Sequence, residues 1–224
     1  VPSEEKRPSA YRQLRFTRPP GSTEVLLVRH GESEPADPRQ PFPLVDGRGD
    51  PGLSPEGVTQ AERLADRLAS LDVAAVYITP LRRTRETAAP LASRLGLEPH
   101  VEPGLVEVHL GAWEGGIYRE RVAAGDPLAL RMFEEERWDV IPGAEPNEAV
   151  AERARAALER IVARHPDELV VAVSHAGVIG MLLAELTGSR PFAFVGSDNA
   201  AVSAVVGFAG RWFLRRFNDT AHLE

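Results

Sequence analysis

The chain has 224 residues, 43% of them hydrophobic and 26% charged, the proportions of a globular protein that buries a core. It contains no cysteine, which excludes disulfides, thiolate metal sites and cysteine nucleophiles. Its formal net charge of -7 works against a nucleic acid partner, because the phosphates of a duplex would be repelled.

Residues 1–22 carry prolines and charges without an apolar period and are expected to form a flexible or strap-like arm. The remainder, 23–224, is expected to form one domain. Val25 to Val28 is a short continuous apolar run, the pattern of a strand covered on both faces. It breaks into Arg29-His30-Gly31-Glu32. Pro35 to Gly52 is rich in proline and glycine and reads as a long loop. Ser54-Pro55 opens a helix, a hydroxyl cap followed by proline in the first turn. Val58, Ala61, Leu64, Ala65, Leu68 and Leu71 give that helix one apolar face. Ala74 to Ile78 is a second strand, and Thr79-Pro80 is expected to open a second helix in the same manner. A third strand is placed near His100-Val101, and Leu105 to Tyr118 is less regular. A helix from about Asn147 to Ala163 leads to the apolar run Leu169 to Val173, and another helix follows His175. Strands at Ala201 to Val206 and Trp212 to Phe217 close the chain. Alternating strands and helices of this kind predict a three-layer α/β/α sandwich with a mainly parallel sheet, to which the closing pair adds an antiparallel strand. No apolar run approaches the roughly 20 residues that cross a bilayer. The N-terminal stretch lacks the apolar centre of a secretion signal, so a cytoplasmic protein with no membrane partner is expected.

In open α/β sheets ligands bind beyond the carboxyl ends of the strands. Arg29-His30-Gly31, Thr79 to Arg83 and Ser174-His175-Ala176-Gly177 all share that address, so two histidines and several arginines converge on one edge. Cations at a helix N-terminus are unfavourable by roughly 0.3–1 kcal/mol, and a helix opening with Arg82, Arg83 and Arg85 is therefore locally inconsistent. Such conflicts concentrate at functional sites, where a bound anion would resolve them. For Arg82 and Arg85 the reading is simpler: solvated side chains paired with Glu86 or a neighbour. Arg29 would hold His30 neutral by disfavouring its protonated form. His100, His109, His165 and His222 have no comparable setting. Gly47 to Gly52 formally matches a dinucleotide fingerprint, but it does not follow a predicted strand and Pro51 obstructs the turn.

Arg29-His30-Gly31-Glu32, then Leu81-Arg82-Arg83-Thr84-Arg85-Glu86-Thr87, then Leu105-Val106-Glu107 with Gly111 to Gly115, then Val173 to Gly177, resemble the ordered motifs of the histidine phosphatase superfamily. The resemblance spans roughly Thr23 to Phe217. It implies a metal-independent hydrolase of small phosphorylated metabolites that needs no cofactor and is open to homo-oligomer formation. His30 would become phosphohistidine, Arg29 and Arg83 would clamp the phosphoryl oxygens, and His175 would stabilise the transition-state charge. Glu107 would give a proton to the leaving alcohol and later take one from water. Trp113 is read as packing at the site's edge, and the role of Glu114 is open. An asparagine that many relatives place after the first motif falls here on Ala36, so another residue is needed for that phosphate contact, and Ser33 is a weak candidate. The superfamily also holds cofactor-dependent phosphoglycerate mutases, which carry an extra segment after Trp-Glu-Gly. Gly116 to Gly143 is compact and does not match it, which favours hydrolysis. A non-catalytic phospho-ligand-binding protein on the same fold is disfavoured, because His30, Glu107 and His175 are all present. A metal-dependent hydrolase is disfavoured by the arginines.

Overall fold

The architecture follows from where the sequence puts its short apolar runs. The computed structural model describes residues 13–224; of the expected arm at 1–22, residues 1–12 lie outside them. The first strand, β1, is Thr23–Arg29. Within the expected Pro35–Gly52 loop, β2 (Leu44–Val45) and β3 (Arg48–Gly49) form a small hairpin. Helix α1 is Pro55–Leu68, with the Ser54 side chain accepting from the Gly57 N–H as its cap. Strand β4 is Val73–Ile78, α2 is Arg82–Leu95, and β5 is His100–Val101. Two short helices follow, α3 (Ile117–Ala123) and α4 (Pro127–Glu135). Then come α5 (Asn147–Arg164), β6 (Leu169–Ser174), α6 (Ala176–Thr187), β7 (Val202–Phe208) and β8 (Arg211–Asp219).

The main sheet has six strands in the order β5-β4-β6-β1-β7-β8. β4, β5, β6 and β1 pair in parallel, while β7 runs antiparallel to β1 and β8 antiparallel to β7. β7 is therefore the one reversed strand. Alternate residues of a strand face opposite sides, and both sides are buried here. Leu26 and Val28 of β1 meet Leu64, Ala65 and Leu68 of α1 and Leu91 of α2. Val25 and Leu27 meet Val150, Ala154, Leu158 and Ile161 of α5 and Ile179 and Leu182 of α6. These are the three layers that the alternating pattern predicts.

Some local expectations are corrected. The Thr79-Pro80 pair does not cap α2. Its first residue is Arg82 and its cap is Leu81, with no side-chain cap bond, because the Thr79 hydroxyl is turned inward to Thr84 and His175. Val58 is half exposed and Leu71 lies beyond the end of α1, so neither belongs to its buried stripe. Near the start of the described chain, Arg18 donates to the carbonyls of Glu168 and Asp167, and the Arg215 guanidinium lies 3.7 Å above the Phe16 ring centre. Among the described residues no helix is long and apolar enough to cross a membrane.

The loop after β1 is fixed to the start of α1 by two glycines in close approach. A Cβ on Gly31 would lie 2.6 Å from the Gly57 carbonyl oxygen, and one on Gly57 would overlap the Glu32 carbonyl. No side chain fits between them.

Candidate active site

Parallel pairing of β1 with β6 sets Arg29 opposite Ser174, so the next residue of each strand, His30 and His175, leaves the sheet at the same edge. Their imidazole centres are 5.2 Å apart, edge to face. His30 is 5% exposed and His175 fully buried. The His30 Nδ1 lies 2.7 Å from the Gly31 carbonyl oxygen, which can only accept, so Nδ1 carries the proton. Nε2 is left as a bare lone pair, and it accepts from Arg83 Nε at 3.2 Å. Burial chiefly, and then the charges of Arg83 and Arg29, hold the imidazole pKa well below its ordinary 6.5. Sequence reasoning credited Arg29 with keeping the ring neutral, whereas desolvation is the larger cause.

His175 is likewise held neutral, by burial and then by Arg83 and His30. Its Nε2 meets the Thr79 hydroxyl at 3.0 Å, and its buried Nδ1 has no hydrogen-bond partner among the described residues. Arg83, 6% exposed, is braced by a 2.9 Å bond to the Gly49 carbonyl. Arg29 donates through one terminal nitrogen to the Ser197 carbonyl, while its buried Nε is unpartnered. Arg82 is different: it pairs with Glu86 at 2.5 Å with 58% of its side chain exposed, as the simpler reading expects, and Arg85 is exposed but has no ion pair among the described residues.

The half-buried Glu107 carboxyl lies against the start of α6, where a Cβ on Gly177 would stand 2.8 Å from its Oε1. The Val108 N–H donates to that oxygen at 2.9 Å. Burial raises the carboxyl pKa above its usual range, against opposing pulls from Arg83, Val108 and Arg29. The Glu107 backbone is clamped from behind, its carbonyl accepting from Arg48 Nε at 2.7 Å and from Arg153 at 3.2 Å. Arg153 also bonds the carbonyls of Gly104 and Val106, and Glu145 joins the two arginines.

Arg29, His30, Arg83 and Glu107 face one cavity of about 390 Å³, with His175 packed behind His30. Trp113, 5% exposed, forms part of its wall, as expected. Glu114 is a brace, its two oxygens accepting from the N–H groups of Leu110 and Gly49. Two further residues belong to the wall: Tyr118, which the sequence already offers for the entrance, and Arg119, which escaped that reading. Tyr118 has its phenol pKa pushed up to about 12 by burial and by Glu107. Arg119 donates to the Ser33 hydroxyl at 2.6 Å and to the Glu34 carbonyl at 2.8 Å, beside the Ala36 methyl that faces Gly116. Ser33 thus positions an arginine. The signal for Arg119 was the same cation in a helix's first turn that marks Arg83, but α3 itself was not anticipated.

A bifunctional protein of Mycobacterium tuberculosis is 35% identical over 205 residues, covering 90% of this chain. The chain spans about half, 55%, of the length of that protein and of two further mycobacterial relatives of the same identity. Phosphoserine phosphatase 1 of Hydrogenobacter thermophilus is 34% identical over 203 residues, covering 89% of this chain and 93% of its own. Among solved structures, the mycobacterial glucosyl-3-phosphoglycerate phosphatase superposes with a TM-score of 0.74 at 29% identity, covering 89% of this chain and 100% of its own. The family model described as histidine phosphatase superfamily, branch 1, matches residues 25–220, and on that match the chain belongs to the histidine phosphatase superfamily.

Proposed function

We propose that the protein hydrolyses small phosphate monoesters through a phosphohistidine on His30, without a metal ion. The observation that carries this reading is the unprotonated, buried Nε2 of His30, held against Arg83 Nε in a site walled by Arg29 and Arg83 and backed by His175. A neutral imidazole with its lone pair fixed beside two guanidinium groups is a nucleophile prepared for an anionic phosphoryl group. Nε2 attacks phosphorus and the P–O bond to the alcohol breaks. Glu107, whose raised pKa favours its protonated form, gives that proton to the departing oxygen. Water then attacks the phosphohistidine, Glu107 takes back a proton, and inorganic phosphate and free His30 result. Arg29 and Arg83 hold the equatorial oxygens as charge builds on them, with His175 behind His30. Arg119 stands on the flank where the superfamily's asparagine is missing. Hydrolysis is favoured over phosphate return to a second hydroxyl because the segment after Trp113 is filled by two short helices, and the Hydrogenobacter relative, 34% identical, is named a phosphatase.

The test is a rapid alkaline quench during turnover of phenyl phosphate, followed by peptide mapping. Phosphate should be found on His30, at Nε2, since Nδ1 is engaged with Gly31. Label on a serine or aspartate, or none in a His30→Ala-sensitive reaction, would refute the assignment. Turnover should also continue in the presence of a chelator.

A further inference from the structure

Beyond its phosphate end the cavity is walled by Phe42, Trp113, Tyr118, Phe133, Trp138 and Val195. The aromatic rings support one another: Trp113 and Tyr118 centres are 6.3 Å apart, Tyr118 and Trp138 6.2 Å, and Trp138 leans on Phe192 at 4.9 Å. Trp113 and Trp138 are buried, so the wall is fixed by packing instead of being assembled around a ligand. The charged side chains nearby are already engaged. Glu114 accepts two backbone bonds, and Arg119 bonds Ser33 and Glu34 with its guanidinium 5.3 Å from the Phe42 ring centre. At the mouth the apolar surface continues outward, with Phe133 44% exposed and Leu130, one turn earlier on α4, 63% exposed. The leaving-group side of this cavity therefore offers no free carboxylate for an ammonium group. Its polar side chains on that side are few: the Tyr118 hydroxyl and the engaged Glu114 and Arg119.

We propose, resting on the reading of the site as a phosphomonoesterase, that its substrates are monophosphates of small apolar alcohols or phenols with an aromatic or branched hydrocarbon body. Such a body replaces water along the aromatic rings, where the Tyr118 hydroxyl is a polar tip of the wall that it must leave to solvent. An amino acid or sugar would leave its own charges or hydroxyls unpaired there, and a site of this kind discriminates strongly against such losses. The volume of about 390 Å³ lies at the small end of the roughly 300–1,000 Å³ typical of ligand sites, which fits a small molecule.

The experiment compares kcat/KM for 2-phenylethyl phosphate with that for O-phosphoserine and 3-phosphoglycerate. Serine is the better leaving alcohol, which works against the expected result. The apolar ester should nevertheless be preferred by about 100-fold or more, and Phe133→Arg should shrink that ratio by about tenfold or more. Equal or better turnover of phosphoserine or phosphoglycerate by the unaltered protein overturns the proposal, as does an unchanged ratio in the variant. Binding of 3-phenylpropylphosphonate against 2-amino-4-phosphonobutanoate, the non-hydrolysable counterparts, gives a ranking that needs no turnover. If no ester is hydrolysed, the hydrolase reading fails by itself. Tighter binding of the phenylpropyl compound would still support the assignment of the wall, and tighter binding of the amino acid would refute it.

Discussion

Glu107 is the residue whose environment decides the chemistry. A carboxyl raised by burial and partly restrained by Arg83 keeps a proton to pH values at which an exposed glutamate has lost it. An alkyl alcohol leaves poorly as its anion and needs that proton, whereas nitrophenolate does not. In Glu107→Gln, phosphorylation of His30 by nitrophenyl phosphate should be slowed little, while the same step with an alkyl phosphate should fall by on the order of 10²–10⁴. The pH profile gives the sign. Turnover of the alkyl ester should decline as pH rises through the raised Glu107 pKa, and the limb that reflects His30 protonation should lie well below 6.5. Rapid-quench rates for both esters would decide it, and equal slowing of the two would remove Glu107 from the acid role. At this scale much was legible: strand ends placed His30 and His175, misplaced cations marked Arg82, Arg83 and Arg85 together, and the resemblance singled out Arg83. Thr79 was misread as a cap because hydroxyl-proline pairs do open helices, and nothing local reveals that His175 claims the hydroxyl instead.

At the scale of elements, Glu107 sits in an irregular stretch, yet its backbone is held by Arg48 from the hairpin and Arg153 from α5, with Glu145 between them. Their work is positioning. Glu145→Gln should loosen both arginines and let the carboxyl drift, and displacement of about 1 Å in such a group can cost on the order of 10²-fold. Alkyl phosphate hydrolysis should therefore drop by about 10- to 100-fold, with nitrophenyl phosphate much less affected. A parallel loss for both substrates would indicate general loosening of the site instead. This network was invisible in the sequence because its members are far apart and each looks like a surface charge. The hairpin and the helices α3 and α4 were missed for a related reason. Two-residue strands have no readable alternation, and in the short helices Ile117, Val122, Leu130 and Phe133 point at least partly to solvent, which blurs the apolar stripe that marks a helix. The longer strands and helices, buried on clear faces, were read to within a few residues.

Across the whole molecule, the chain's C-terminal end is tied back to α1 on the side of the sheet away from α5 and α6. Arg67 grips Asp219 with bonds of 2.6 and 3.0 Å and touches His222 at 3.0 Å, and Arg63 donates to the Leu223 carbonyl. Hydrogen bonding to Arg67 lowers the Asp219 pKa from 3.8 to about 2. A depressed carboxylate pKa stabilises the fold above its unfolded value and is lost as pH falls through the folded one. Discounted for its partial exposure, the contribution is on the order of 1 kcal/mol. Arg67→Met should accordingly lower Tm by about 2–4 °C near neutral pH, and the gap should narrow between pH 4 and pH 2. Thermal melts across that range test it, and a gap independent of pH would mean that packing of the arginine stem carries the effect.

The glycine pair at Gly31 and Gly57 has a consequence for how such a protein can be altered. Backbone touches backbone there, so the loop that bears His30 and the first turn of α1 behave as a single moulded part, though 26 residues apart in number. A designer who transplants the Arg29-His30-Gly31-Glu32 loop into another sheet must carry the opening of α1 with it. Lineages that recombine chain segments face the same restriction, since a crossover between the two positions would join halves that were never shaped to each other.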